Sequence, residues 1–191
     1  MKRSWIFIFI CAMCITGNAQ VSSTKSSGQL LQQFHSFNTI HVLNGSSTTS
    51  LAINSVNGFQ FNKLFAGLGV GFDYYYHTTI PLFLEGRFDL VKSKLQLFAD
   101  GGVSFPFSSQ NTKFETNSGP YKTAGMWGAG VDYLVTIGKD ALILGAGFSN
   151  KQVIQMVDNN IWNPVLNRVE NTPSKDQYSL NRITLRIGWM F

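Results

Sequence analysis

The chain of 191 residues has little cysteine, little charge and no long apolar run beyond its N-terminal segment. Its two cysteines, Cys11 and Cys14, lie near the N-terminus, so the rest of the chain can form no disulfide, cysteine–metal site or thiol nucleophile. Only 13% of the residues are charged, and no Lys/Arg-rich run occurs, which argues against nucleic-acid binding. No later segment approaches the length of about 18 apolar residues typical of a transmembrane helix.

The first residues are typical of an export signal. Lys2 and Arg3 precede an apolar run at 5–15, and the small residues Gly17 and Ala19 suit the pockets of a signal peptidase. The apolar run is too short to cross a bilayer as a helix, which needs about 20 residues. We therefore predict cleavage after Ala19 and export from the cytoplasm.

This cleavage divides the chain into three parts. We predict a cleaved signal peptide at 1–19, a lead-in at 20–33 whose last part, Gln29–Gln33, is helical or irregular, and a single domain at 34–191. Loss of the signal peptide removes both cysteines and lowers the formal net charge from +5 to about +3. A chain without cysteine suits passage through an oxidising periplasm.

Aromatic residues and glycines are abundant, with 16 Phe, 6 Tyr, 4 Trp and 18 Gly. The clearest alternation lies at Leu64–Tyr75, where Gly67, Gly69 and Gly71 share one face and apolar side chains share the other. Each glycine would cost a helix about 1 kcal/mol relative to alanine, whereas on a barrel wall glycines leave room in a narrow interior. The pattern therefore predicts a membrane β-barrel.

The whole pattern predicts an all-β fold, an eight-stranded antiparallel up-and-down transmembrane β-barrel with short periplasmic turns and longer outer loops. The predicted strands lie at about Phe34–Leu43, Thr48–Phe61, Leu64–Tyr75, Thr79–Val91, Leu95–Phe105, Met126–Tyr133, Leu142–Ser149 and Arg182–Phe191. The predicted inner turns lie near Asn62–Lys63, Lys92–Ser93 and Gly138–Asp140. The predicted outer loops lie near Asn44–Ser47, Tyr76–Thr78, Ser108–Gly119 and Gln152–Lys175. Since the two longest connections fall on one side, the loop lengths support this topology.

Charged residues share the face of the strands that carries the glycines. On the fourth strand Glu85, Arg87 and Asp89 alternate with apolar residues, which is natural inside a small barrel where acids and bases neutralise one another. We predict an interior charge network made of Asp73, Glu85, Arg87, Asp89, Asp100, Asp132, Arg182 and Arg186. The interior of eight strands is just wide enough for such side chains to fill it.

The stretch from Val56 to Phe88, VNGFQFNKLFAGLGVGFDYYYHTTIPLFLEGRF, carries a family resemblance. It resembles the small outer-membrane β-barrel proteins of the Bacteroidota type, and more broadly the eight-stranded barrel domains of the OmpA and OmpX kind. The resemblance implies a cell outer-membrane location and insertion by the barrel-assembly machinery. It also implies that the alternating C-terminal residues form the assembly signal: Ile183, Leu185, Ile187, Trp189 and Phe191.

The predicted function is a structural or surface-interaction role, with a lumen closed by the charge network. We predict no enzyme activity, no cofactor and no metal, with outer-membrane lipid as the surrounding partner, no nucleic acid and a monomeric state. A narrow porin-like channel is the alternative. A lipid hydrolase is less expected, because in Gly147–Phe148–Ser149–Asn150 a glycine stands where the general base of such enzymes belongs. A soluble lipocalin-like carrier would reverse the polarity of the two strand faces.

Overall fold

The computed structural model describes residues 32–45, 48–75, 77–91, 94–107, 118–163 and 168–191. These residues form nine antiparallel β-strands: β1 (Gln32–Asn44), β2 (Thr49–Phe61), β3 (Leu64–Asp73), β4 (Thr79–Val91), β5 (Leu95–Pro106), β6 (Ser118–Lys122), β7 (Ala124–Ile137), β8 (Asp140–Asn163) and β9 (Arg168–Met190). Across these described ranges, no helix has the length and apolar character needed to cross a membrane.

Eight of the strands pair in a closed circle. Each of β1 to β4 pairs with the next strand in the chain, β5 pairs with β7, β7 with β8 and β8 with β9. β9 returns to β1 through pairs that run from Phe37↔Met190 to Asn44↔Ile183. Over this stretch the backbone groups of both terminal strands are satisfied, and the sheet has no open edge there.

The ninth strand, β6, lies outside the circle and pairs with the upper part of β8. The described residues thus form nine strands, so the predicted total of eight is not confirmed, although most of the strand positions agree to within a few residues. Ser118–Gly119, predicted as loop, belongs to β6 because β8 extends far enough to supply its hydrogen-bond partners. Residues 108–117 of the same predicted loop lie outside the described residues.

The two ends of the ring differ in how their strands are connected. At one end, the turn end, β2–β3 and β7–β8 are joined by tight turns in which Asn62 (φ 55°) and Gly138 (φ 68°) take the left-handed conformation that two-residue hairpins require. The predicted turn at Lys92–Ser93 lies outside the described residues. The opposite end, the loop end, carries the β1–β2 and β3–β4 connections.

A long hairpin rises from the loop end of the ring. β8 and β9 pair continuously from Ala141↔Met190 to Asn163↔Arg168, whereas β7 follows β8 only as far as Lys151. At about 3.4 Å per residue, residues 152–163 extend the hairpin about 40 Å beyond the ring. The prediction of an outer loop at 152–175 is therefore wrong. Its described residues belong to β8 and β9, whose backbone groups are hydrogen bonded to each other.

Side chains alternate between the two faces of the ring. On β4 the aliphatic side chains of Leu82, Leu84 and Leu90 point outward, while Glu85 and Arg87 are buried inside. Toward the turn end the interior holds an apolar cluster of Phe37, Val56, Phe65, Phe83, Leu134, Ala141 and Ile143. A smaller cluster of Leu43, Ala52 and Tyr75 lies near the loop end. Charged side chains, among them Glu85, Arg87 and Asp132, are buried in the same interior.

The lead-in predicted for 20–33 ends earlier than expected, since Gln32 and Gln33 already pair with β2. The remaining lead-in residues and the predicted signal peptide at 1–19 lie outside the described residues.

Candidate functional site

The centre of the ring holds four charged side chains in mutual contact, here called the central ion cluster: Glu85, Arg87, Asp132 and Arg186. Arg87 Nε donates to Glu85 Oε1 over 2.5 Å, and Arg87 Nη1 donates to Asp132 Oδ2 over 2.9 Å. Arg186 Nη2 donates to the same Asp132 oxygen over 2.5 Å and lies 3.8 Å from Glu85 Oε1. Asp132 is 0% exposed, so these interactions are shielded from bulk water.

Strand register explains why the four side chains meet. Gly145 on β8 is the direct neighbour of Asp132 on β7 and of Arg186 on β9. Since Gly145 has no side chain, the carboxylate and the guanidinium make contact across it. A Cβ atom placed there would collide with Asp132 Oδ1 and lie 2.8 Å from Arg186 Cγ.

Aromatic rings cover the two arginines of this cluster. The Arg87 Cζ lies 3.7 Å from the centroid of the Phe37 ring, and the Arg186 Cζ lies 3.5 Å from that of Phe98. Stacking on the electron-rich ring face stabilises a guanidinium that has lost its water. The aromatic residues inside the ring therefore hold the charges as well as filling space.

Asp89 is bound to the central ion cluster through glutamine side chains. Gln96 Nε2 donates to Asp89 Oδ1 over 2.6 Å, and Gln60 Nε2 donates to Asp89 Oδ2 over 2.9 Å. Gln96 Oε1 accepts from Arg87 Nη1 over 3.4 Å. The network therefore continues toward the turn end without a direct ion pair to Asp89.

A second ion pair lies nearer the loop end. Lys151 Nζ donates to Asp73 Oδ1 over 2.7 Å, to Asp73 Oδ2 over 3.0 Å and to Thr79 Oγ1 over 2.6 Å. Thr79 Oγ1 donates to Asp73 Oδ1, and Ser104 Oγ donates to Thr79 Oγ1, both over 2.7 Å. All four side chains are buried, and the hydroxyl groups satisfy the carboxylate and the ammonium on several sides.

Arg182 joins the connections at the loop end rather than pairing with an acid. Its Nη1 donates to the carbonyl of Thr48 over 2.6 Å, and its Nη2 donates to the carbonyl of Tyr75 over 2.7 Å. Its Cζ lies 4.5 Å from the centroid of the Tyr75 ring. The Tyr75 hydroxyl lies 3.1 Å from the carbonyl oxygens of both Ser149 and Leu180, and these two acceptors share its single proton. Arg182 and Tyr75 therefore fasten the β1–β2 and β3–β4 connections to the base of the long hairpin.

A cavity of about 50 Å³ lies between the central ion cluster and the loop end, and Asp100 and Arg186 are among its lining residues. Asp100 forms no side-chain hydrogen bond or ion pair with any described residue, whereas Arg186 Nε and Asp132 Oδ1 are buried without a partner. A cavity needs only about 10–15 Å³ of such volume to hold one water. Waters in this cavity would satisfy the Arg186 Nε and the Asp100 carboxylate.

The structure brings together most of the residues that the sequence indicated, but not as a single network. Glu85, Arg87, Asp132 and Arg186 meet directly and Asp89 joins through Gln96, while Asp73, Asp100 and Arg182 lie apart from them. Lys151 was missed, because the seventh predicted strand stops at Ser149. The period-two pattern continues through Lys151 on the same face, and this signal could have identified it.

The interior contains five carboxylates (Asp73, Glu85, Asp89, Asp100 and Asp132) and four cations (Arg87, Lys151, Arg182 and Arg186). This near balance suits a packed interior rather than a site for one charged ligand. Among the described residues, no group of three or more His, Cys, Asp or Glu side chains is arranged to hold a metal ion. The predicted absence of a cofactor stays a prediction. The predicted assembly signal lies on the outward face of β9, with Ile183, Leu185 and Ile187 exposed, and its role is also a prediction.

Comparisons with known proteins add little to this description. No family model matches the chain, and no curated protein matches it. Among solved structures, one similar chain comes from the de novo design of transmembrane β-barrels, with 15% sequence identity, a TM-score of 0.38, and coverage of 82% of this chain and 93% of that chain. Nothing about function follows from this likeness. The fold itself defines the class: an all-β protein whose antiparallel strands close into a ring.

Proposed function

We propose that this chain is an integral outer-membrane β-barrel with a structural or surface-interaction role and an interior closed by ion pairs. The observation that carries the proposal is the inverted polarity of the ring. Aliphatic and aromatic side chains cover its outer face, and Leu84 is 68% exposed there, while Glu85, Arg87 and Asp132 are buried inside. A protein in water gains free energy from the opposite arrangement.

The height of the apolar face agrees with a bilayer. On β2 the outward apolar residues begin at Leu51 and end at Phe61, a span of 11 residues. A tilted transmembrane strand needs about 9–11 residues. Because the strands pair in a closed circle, each strand of the ring has a hydrogen-bonded neighbour on both sides in this zone, as crossing lipid with strands requires.

A soluble carrier is disfavoured by the same face. Exposed apolar side chains occur on every strand of the ring, including Leu68 on β3, Val103 on β5 and Leu185 on β9. Soluble monomers rarely expose contiguous apolar patches larger than a few hundred Å². An apolar belt that encircles the protein therefore supports a lipid environment.

A channel is disfavoured by the filling of the ring. Toward the turn end, Phe37, Phe65 and Ile143 are among the fully buried side chains of the apolar cluster. The cavity above it measures only about 50 Å³. We expect no steady conductance across planar bilayers, and a reproducible single-channel current would contradict the closed interior.

A lipid hydrolase is disfavoured at Ser149, the residue that a nucleophile role would require. Its Oγ lies 3.2 Å from the Tyr75 hydroxyl, and no histidine among the described residues hydrogen bonds to it. A serine without an adjacent base is a weak nucleophile. We therefore propose no catalytic role.

The surface role is assigned to the three-stranded sheet of β6, β8 and β9 that rises beyond the ring. Within the described strands, the backbone of β9 at 168–182 pairs with β8 on one side and with no strand on the other. An open edge of this kind accepts an added strand. The proposal is that this hairpin is the part of the protein that contacts partners outside the membrane.

Two substitutions test the membrane location. Leu84→Arg introduces a charge at the middle of the outward face of β4, and Tyr178→Arg introduces the same charge on the exposed hairpin. In a membrane, arginine near the midplane costs about 2–4 kcal/mol, so Leu84→Arg should lower the folded fraction in the outer membrane and Tyr178→Arg should not. The readout is the heat-dependent gel shift of the membrane fraction. Wild-type protein recovered from the soluble periplasmic fraction, with no shift and no harm from Leu84→Arg, would refute the proposal.

A further inference from the structure

Four polar side chains interrupt the apolar outer face on two neighbouring strands. Ser36 and Asn38 lie on β1, and Ser55 and Asn57 lie on β2. The register pairs Ser36 with Asn57 and Asn38 with Ser55, so the four form two adjacent cross-strand pairs on one surface. They share the outward face with Phe34 and the other exposed apolar residues of the two strands. We call these four residues the polar patch.

The polar patch lies at the middle of the apolar belt rather than at its rim. On β2, Leu51 and Ile53 flank it toward the loop end, and Phe59 and Phe61 flank it toward the turn end; all four are exposed. On β1, Phe34 and Ile40 flank it in the same way. Residues at the centre of a span of 11 face the hydrocarbon and not the headgroups.

The other strands of the ring carry no polar side chain at this height of their outward face, among the described residues. The outward residues there are Leu68 and Val70 on β3, Leu84 and Gly86 on β4, Ala99 and Gly101 on β5, Ala129 and Val131 on β7, Leu144 and Ala146 on β8, and Leu185 and Ile187 on β9. The polar patch is therefore confined to one side of the ring.

The hydrogen-bonding capacity of the patch is only partly used within the chain. Asn38 Nδ2 donates to Ser36 Oγ over 3.4 Å, and Asn57 Nδ2 donates to Ser55 Oγ over 3.5 Å. Both bonds are long. Each amide has a second N–H and an acceptor oxygen, and these form no side-chain bond to a described residue. Lipid tails offer no partner, so each unsatisfied group is costly there.

We infer that the polar patch is an interface between two copies of this chain in the membrane. Asparagine and serine both donate and accept hydrogen bonds, so the patch is complementary to itself, as a two-fold contact requires. Polar side chains bond across neighbouring segments in membranes in the same way, and the flanking Phe34, Ile40, Ile53 and Phe59 supply apolar contact around the bonds. The inference rests on the proposed membrane location, and it departs from the monomer expected from the sequence.

Single cysteines placed on the outer face give a direct test in intact outer membranes. Asn38→Cys and Asn57→Cys lie in the polar patch, whereas Val131→Cys lies on β7 across the ring and is the matched control. The chain without substitution gives the background from Cys11 and Cys14. With a short thiol-reactive cross-linker, at least one patch variant should give a product of twice the chain mass, and the control should not. Equal products from all three variants, no product from either patch variant, or a product of another mass would overturn the inference.

An apolar replacement measures the strength of the interface. In Asn38→Leu/Asn57→Leu the patch becomes apolar like the rest of the belt, so the fold should be retained and the heat-dependent gel shift should persist. Each interchain hydrogen bond in a membrane changes the affinity about threefold, so the loss of a few should weaken association about 10- to 100-fold. Association is measured by energy transfer between labelled copies of the chain in liposomes. Unchanged association would overturn the inference. Wild-type protein absent from the membrane fraction in the same experiment would instead refute the proposed function, so the two failures are distinguishable.

Discussion

Asp132 is the residue on which the closed interior depends most. Its Oδ2 accepts hydrogen bonds from Arg87 and Arg186, and the side chain is fully buried. Asp132→Asn keeps the shape and removes the charge. The two guanidinium groups then face each other with Glu85 as their remaining close acid, at 2.5 Å from Arg87 and 3.8 Å from Arg186.

The size of the effect follows from the burial of these groups. Removing one partner of a buried ion pair costs about 3–5 kcal/mol, because the other charge is left uncompensated. We expect the lower end of this range, since Glu85 still pairs with Arg87 and the two arginine side chains stack on Phe37 and Phe98. Adding Arg186→Met to Asp132→Asn removes the uncompensated cation and should recover part of the loss. In a double-mutant cycle, the double variant should therefore lose less free energy of unfolding than the two single variants added together.

The assay is equilibrium unfolding by urea of protein folded into liposomes, followed by tryptophan fluorescence. The matched control is Asp140→Asn at the start of β8, where the carboxylate is not fully buried, and an effect within about 0.5 kcal/mol is expected there. If Asp132→Asn lowered the free energy of unfolding no more than Asp140→Asn, water would be screening the interior charges. The reasoning for a closed interior would then be refuted.

Further predictions use the same unfolding assay unless stated. Gly145→Ala places a methyl group against the central ion cluster and should cost about 1–3 kcal/mol, while Gly86→Ala, whose Cβ would meet nothing closer than 4.0 Å, should be neutral or slightly stabilising. Lys151→Met leaves Asp73 without its cation and should cost about 3 kcal/mol, with partial recovery in Lys151→Met/Asp73→Asn. Burial lowers the pKa of His77, with a further lowering from Lys151 and an opposing effect of Asp73. A His77 side chain that is exposed to water therefore binds a proton more tightly than the buried one, so acidification through the ordinary histidine range should favour its exposure. NMR titration of the imidazole signals of His77 should give a midpoint below the ordinary histidine pKa.

The faces of the strands could be read from the sequence because alternation is a local property. Leu84, Glu85 and Arg87 differ so strongly in polarity that one parity must face outward and the other the interior. Glycine on the inner face was also readable, since Gly69 lies under the ring of Phe83 and leaves room for it. The tight turn at Asn62 agrees with the predicted position for a similar reason, since left-handed residues mark hairpins.

The ends of the last long strands could not be read in this way. Apart from Val169 and Pro173, residues 168–175 are polar, so this segment shows no apolar alternation. Pairing between β8 and β9 defines these strands, and it depends on both segments at once. The same limit hid β6, which exists because β8 extends past β7. Lys151 was lost with them, although its partner Asp73 had been identified.

Register, rather than face, is where sequence reasoning stops and the structure adds new chemistry. The parity of Ser36 and Asn38 on β1, and of Ser55 and Asn57 on β2, is readable from the sequence. Their meeting is not, because a shift of β2 by two residues along β1 would keep every face and bring Ser55 opposite Ser36 or Ile40 instead of Asn38. The observed register is the one that pairs each asparagine with a serine across the two strands, at the middle of the belt. At the proposed location in a membrane, one polar residue on the outer face is a tolerated exception, whereas four on adjacent strands, with their bonds half used, favour the proposed second copy as the source of the missing bonds.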